Sequence, residues 1–378
     1  MKHTCSNLYI IVTLGFLYAC GGSGYDDSPN DTQTPNTLSL TVKLDGSQQV
    51  PQPVQTAAIG TAELVLDQET GALSGRLTVS NPSSTITAAH IHQAIAGYNS
   101  IPFLPLQKSE TDNNVWNIPP DTVLSSNEVE SLLMGGMYIN AHSANHPAGE
   151  IRGQIVGGGA EVIQVKLAGA NEVPSIDSSG DGVAFVTLNK ATAHLNVIVH
   201  INNLIATNAH IHQGFAGANG SAVVTLNENV DDNFIWEATA TLPEEHLDAL
   251  LNGEMYVNVH TAANPGGEIR GQILMPSFSF IQKTVFNAKC ISCHSGAGAL
   301  GGLRLDDGNT YSRLVFSASK QNLALDLVAP GDPDNSYLIH KLEGTASTGL
   351  QMPPSGDPLE EIVIDNIRQW IAQGAEHN

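Results

Sequence analysis

The chain has 378 residues and a formal net charge of −22, with 15 lysines and arginines set against 37 carboxylates. A surface of that sign repels nucleic acid and anionic headgroups at long range, so no nucleic-acid partner is expected and a docking protein should be basic or neutral. At 41% hydrophobic residues the chain can bury more than one core, which predicts two to three domains.

Residues 1–19 read as an export signal. Lys2 and His3 give a short basic start, and the apolar run Leu8–Leu17 is too short to span a bilayer as a stable helix. The run ends in Leu17-Tyr18-Ala19-Cys20-Gly21, which resembles a bacterial lipobox. That resemblance implies cleavage before Cys20 and acylation of its thiol; the alternative is an ordinary signal peptide with an incidental cysteine. With a lipobox, Cys5 is discarded and the acyl chains on Cys20 are the membrane anchor. No Asp follows Cys20 to favour inner-membrane retention, so the expected location is extracytoplasmic on the outer membrane, facing the periplasm or the surface. Residues 20–37 are small, polar and proline-containing, as a flexible tether is.

Between residues 38 and 275 the sequence repeats itself. Ala89-His90-Ile91-His92-Gln93 returns as Ala209-His210-Ile211-His212-Gln213, and Gly149-Glu150-Ile151-Arg152-Gly153-Gln154-Ile155 returns unchanged from Gly267 to Ile273. Met137-Tyr138-Ile139-Asn140-Ala141-His142 answers Met255-Tyr256-Val257-Asn258-Val259-His260. Each copy reads as β: 38–44, 60–66 and 75–79 in the first, 184–188 and 195–201 in the second, all alternating or β-branched between turn residues. Short helices interrupt at 125–134 and 243–251. Many short antiparallel strands per hundred residues predict a Greek-key sandwich or barrel. The set A-H-I-H, Y-(I/V)-N-x-H and P-x-G-E-I-R-G-Q-I resembles the CHRD (chordin-type) domain family, over 38–156 and 162–275. The resemblance implies an extracellular binding module.

On a strand, His90 and His92 face one side, as do His210 and His212, and His142 or His260 follows on a later strand. His-x-His with a distant third histidine is a set that zinc or copper can use. His200 offers a fourth ligand to the second copy, where the first has Ser80, and no carboxylate clearly completes either set. The competing reading is a buried polar cluster in which Glu150 with Arg152, and Glu268 with Arg270, tie strands together.

After residue 276 the texture turns helical, with helices expected at 277–289, 336–342 and 359–374; residues 277–378 form the last domain. Cys290-Ile291-Ser292-Cys293-His294 is a C-x-x-C-H motif, which reads as covalent haem c attachment through two thioethers with His294 as the proximal iron ligand. A structural zinc site is disfavoured, because no second C-x-x-C or close His pair follows. The order of helix, motif, loop-rich middle and closing helix resembles a small all-α class I cytochrome c. That family places its axial methionine in such a loop, which implies Met352 of Gln351-Met352-Pro353-Pro354 as distal ligand; His340 is the competitor.

The leading functional expectation is a lipid-anchored monohaem electron carrier, not an enzyme, that exchanges electrons with a redox partner protein and whose CHRD modules position the haem or bind a partner. Two others stand beside it: an extracytoplasmic binding or adhesion protein with an accessory or sensory haem, and a metal-dependent redox enzyme using the histidine clusters.

Overall fold

The structure is a computed structural model that describes residues 36–157, 159–306, 308–355 and 358–378. The expected export signal, Cys20 and the tether up to residue 35 lie outside the described residues.

The first repeat runs β1 (Thr37–Asp45), β2 (Ile59–Asp67), β3 (Leu73–Ser80), β4 (Ile86–His92), β5 (Pro102–Pro105), β6 (Gln107–Lys108), β7 (Val115–Asn117), α1 (Ser126–Leu133), β8 (Met137–Ser143) and β9 (Ile151–Ile155). The second runs β10 (Ala160–Ala168), β11 (Asp181–Asn189), β12 (His194–Asn202), β13 (Ala206–Gln213), β14 (Ser221–Glu228), β15 (Ile235–Thr241), α2 (Glu244–Leu251), β16 (Met255–Thr261) and β17 (Ile269–Ile273). Its eight strands close into a barrel in the order β10-β11-β12-β15-β14-β13-β16-β17. The first repeat follows the same circuit as a nine-stranded sheet, β5-β4-β8-β9-β1-β2-β3-β7-β6, interrupted only where β14 is replaced by β5 and β6.

Period-two alternation fills each interior. Leu40, Val42 and Leu44 of β1 point into the first core, and Ile163, Val165 and Leu167 of β10 into the second. Each such side chain contributes about 1.5–3 kcal/mol on leaving water. β8, β9, β16 and β17 depart from alternation, since both of their faces are buried apart from a half-exposed His142. Their second face is roofed by loops whose carbonyls bond to it, Ala94, Ile95 and Pro147 in the first repeat and Gly214, Phe215 and Pro265 in the second, while Ser100 and Gly220 bond to His92 and His212 on the adjoining β4 and β13. Each module therefore has an apolar interior and a separate polar seam under loops.

The third domain begins at α3 (Phe278–Ile281), which continues as a π-helix over Gln282–Cys290. The sequence predicts one regular helix here; the widened turns lead directly into the C-x-x-C-H stretch, a placement common for π segments at functional sites. α4 (Thr310–Leu314), α5 (Tyr337–Glu343) and α6 (Glu361–Ala372) complete it. The first and last helices meet: Phe278 lies 5.8 Å from Trp370 between ring centroids, in a core shared with Ile281, Phe286, Ile367 and Ile371. Among the described residues, no helix is long and apolar enough to cross a membrane.

Candidate functional sites: the C-x-x-C-H turn and two histidine clusters

The backbone turns tightly around the motif, with the amides of Cys293 and His294 both donating to the Cys290 carbonyl, at 3.2 and 3.0 Å. Cys290 and Cys293 are free thiols, the first packed against the apolar core of the domain and the second exposed. Burial pushes the Cys290 thiol up to about 11, and the neighbouring Cys293 adds to the shift. Both sulfurs therefore remain available for thioether bonds rather than being tied in a disulfide. The Nδ1 of His294 sits 3.2 Å from the Leu303 carbonyl. That contact puts the ring proton on Nδ1 and leaves the Nε2 lone pair for a metal, the usual way a ligating imidazole is oriented. The loop carrying Leu303 is held in turn by Asp306, which accepts from the Gly296 amide at 2.9 Å and from Arg304 at 3.1 Å. Those bonds hold the Asp306 carboxyl down at about 2, the Arg304 hydrogen bond being the largest cause.

Met352 packs against the same apolar cluster as Cys290, and its amide donates to Lys341 at 2.7 Å. His340, the competing distal ligand, instead has Nδ1 2.9 Å from the Thr345 hydroxyl in an exposed contact on α5. The residues present thus fit a c-type haem: two free thiols, an oriented imidazole, and a thioether on the shared apolar wall. The Leu303 carbonyl and the clamp of Asp306 with Arg304 were not legible in the sequence. Their one trace is the R-x-D spacing, which puts both charges on one side of an extended stretch.

The histidines of each repeat converge. In the first, one ring nitrogen from each of His90, His92 and His142 lies within 4.8 Å of the other two; His210, His212 and His260 do the same in the second. Register explains it. His90 pairs across with Asn140 and His92 with Tyr138, while Ala88 pairs with His142, so the imidazoles become diagonal neighbours on the outer face of β4 and β8. β13 and β16 repeat the pairing. Loop carbonyls then fix the rings: His92 Nδ1 to Ser100 at 2.8 Å, His142 Nδ1 to Pro147 at 3.0 Å, His212 Nδ1 to Gly220 at 3.0 Å and His260 Nδ1 to Pro265 at 3.1 Å. What remains is a set of buried nitrogens without partners: His90 Nδ1, His92 Nε2 and His142 Nε2, and again His210 Nδ1, His212 Nε2 and His260 Nε2. A buried polar atom left so costs about 1–3 kcal/mol. Burial lowers His90, His142, His210 and His260 below the ordinary histidine value and takes His92 down to about 4, so these rings are neutral near pH 7.

A tyrosine and an arginine back each cluster. Tyr138 stacks on His92 at 4.7 Å and Arg152 lies 3.5 Å over the Tyr138 ring; Tyr256 stacks on His212 at 5.1 Å under Arg270, at 3.4 Å. Burial, its largest cause, lowers Arg152 to about 10. Arg152 does not pair with Glu150, which instead accepts from the Thr56 hydroxyl and the Ser83 amide. Nor does His200 join the second cluster, because its Nε2 is held by the Gly97 carbonyl of the first repeat at 2.7 Å.

Two barrel-type modules in tandem, followed by a small helical domain built around a C-x-x-C-H turn, define a two-module β protein with a cytochrome c-like end. The profile of the CHRD domain family matches residues 40–155 and 163–273, well over half of the sequence, and the chain belongs to that family. A profile described as Planctomycete cytochrome C matches residues 290–356, and a c-type cytochrome domain implies haem c. Among curated proteins, chordin of Xenopus laevis is 29% identical over 243 residues, covering 60% of this chain and 25% of that one. Chordin of Danio rerio is 28% identical over 246 residues, covering 59% and 25%. The chain thus spans about a quarter of the length of these relatives. No solved structure matches it.

Proposed function

We propose that the protein is an exported single-haem electron carrier, tethered to the outer membrane by lipid on Cys20, with the CHRD modules binding or positioning a redox partner. The observation that carries this reading is the His294 ring, oriented by the Leu303 carbonyl so that Nε2 is left for a metal, inside a C-x-x-C-H turn whose Cys290 packs against the same apolar cluster as Met352. Cys290 and Cys293 would hold the haem covalently, and His294 and Met352 would ligate its iron. A haem held there would supply one-electron transfer, and ligation by a thioether together with an imidazole would raise its potential. The protein's own contribution is to fix the His294 tautomer and to hold Cys290 and Met352 against the apolar core of the domain. With His294 and Met352 both available as iron ligands, substrate chemistry at the iron would not be expected. The charge of −22 favours a basic or neutral redox partner, and docking should weaken as salt rises.

The test is production in a host with c-type maturation machinery. The mature polypeptide should weigh more than its amino acids plus lipid by one haem and show a low-spin six-coordinate spectrum. Met352→Ala should keep the haem but lose that spectrum, and His340→Ala should leave it unchanged. A colourless protein of bare polypeptide-plus-lipid mass would end the carrier reading. An unaltered spectrum in Met352→Ala would remove Met352 alone.

A further inference from the structure

The two histidine clusters lie outside the haem domain, and the carrier reading makes no use of them. Each brings three imidazoles together from two neighbouring strands, with one nitrogen from each within 4.8 Å of the others. In each, two of the three rings have Nδ1 held by a loop carbonyl, so the bare nitrogen available to converge is Nε2. In each, three ring nitrogens are buried without any partner. Three such orphans at one spot, occurring twice in one chain, are hard to reconcile with a merely packed polar cluster, where buried polar groups find partners. A metal ion accepts all three lone pairs at once and removes the deficit. The carbonyl bonds to Nδ1 are the outer-shell contacts that metal-binding histidines ordinarily show. The intervening loops have diverged between the repeats, yet the triad, the stacked tyrosine and the arginine beneath it occur in both.

We propose that each CHRD module holds one zinc- or copper-class ion, on His90, His92 and His142 in the first and on His210, His212 and His260 in the second. Among the described residues each cluster offers three imidazole nitrogens with no carboxylate or thiolate, which excludes the oxygen-seeking calcium and magnesium and suits late first-row ions. Donors at about 2.0–2.1 Å around a tetrahedral ion stand roughly 3.4 Å apart, so loading draws the rings together by a modest amount. Three protein ligands leave a fourth position for water or an incoming molecule, the arrangement of an open site rather than a closed structural one.

The proposal does not depend on the haem, and its test counts ions separately from iron. The full-length protein is stripped with chelator, titrated with Zn²⁺ or Cu²⁺ against a competing chelator, and its metal content measured. Two equivalents per chain beyond the haem iron are expected. His92→Gln and His212→Gln should each remove one equivalent, and the double variant both, with folding checked by circular dichroism. His146→Gln and His194→Gln, outside the clusters, should remove none. Should a cluster variant fail to fold, the Cu²⁺-loaded parent still decides, because its electron paramagnetic resonance should show coupling to three equatorial nitrogens. The proposal is overturned if the parent takes up no tight equivalents, if the double variant retains two, or if the copper signal lacks nitrogen coupling.

Discussion

The second repeat buries a carboxyl where the first buries an amide. Gln49 donates from Nε2 to the Asn140 side-chain oxygen at 2.8 Å. Glu172 occupies the corresponding place beside Asn258, and there Glu172 Oε1 and Asn258 Oδ1 are both buried without a partner. Burial, the largest cause, raises the Glu172 carboxyl from 4.5 to about 7, against the pull of Arg270. The folded state therefore binds a proton that the unfolded chain releases. That contribution to stability is complete below about pH 4.5 and is lost as the pH rises through about 7. Glu172→Gln restores the amide bond of the first repeat and should stabilise by about 1–2 kcal/mol at pH 8, with a difference under about 0.5 kcal/mol at pH 4.5. Urea midpoints of parent and variant at the two pH values check this. Equal gaps at both would show that the carboxyl carries no such linkage.

At the scale of elements, the sequence was most informative where a pattern had one physical cause. Alternation gave β1, β2, β3 and β12 to within about two residues at either end and β11 to within three, and of the helical face Ile362, Val363, Asn366, Ile367, Trp370 and Ile371 the last four are buried, with Ile364 buried in place of the first two. The shared side of His90 and His92 was likewise readable, because a strand's period is two. What was not readable depended on cross-strand register and loop closure: the place of His142 diagonal to the other two rings, the stack of Arg152 on Tyr138, and the capture of His200 by Gly97. The split of β5 from β6 is an intermediate case. The Leu106 amide donates to Ala89 of β4 at 2.9 Å, and the preceding Pro105, at the end of β5, has no N–H to give to the ladder. The second repeat has Thr225 at that place and an unbroken β14. Pro105→Thr should join the two segments, slowing hydrogen exchange of the Gln107 amide about ten-fold. Unchanged exchange there would assign the break to Pro102 or to the loop itself.

The whole molecule uses one loop in two ways. In the first repeat, residues 94–100 carry Ala96 and Gly97 into the junction between repeats, where Ala96 packs with Val50 and Phe185. Tyr98 donates to Glu237 at 2.5 Å, and His200 meets the Gly97 carbonyl. In the second repeat the matching loop has Ala218 in place of Tyr98, and its residues 215–220 are exposed. Gly97 has a φ of +93 and Gly217 a φ of +78, so an alanine strains either backbone. Only at Gly97 does an added Cβ also strike a neighbour, at 2.9 Å from Ile198, whereas nothing lies within 4 Å at Gly217. Gly217→Ala therefore measures backbone strain alone, at about 1 kcal/mol, while Gly97→Ala adds overpacking of about 1–3 kcal/mol and loosens the grip of one module on the next. The thermal transition of Gly97→Ala should fall further than that of Gly217→Ala and should separate into steps, because cooperativity between the modules passes through this junction. Equal, single-step shifts in the two variants would mean that the modules are coupled elsewhere, through contacts such as Gln164 with the Ser47 carbonyl at 3.1 Å.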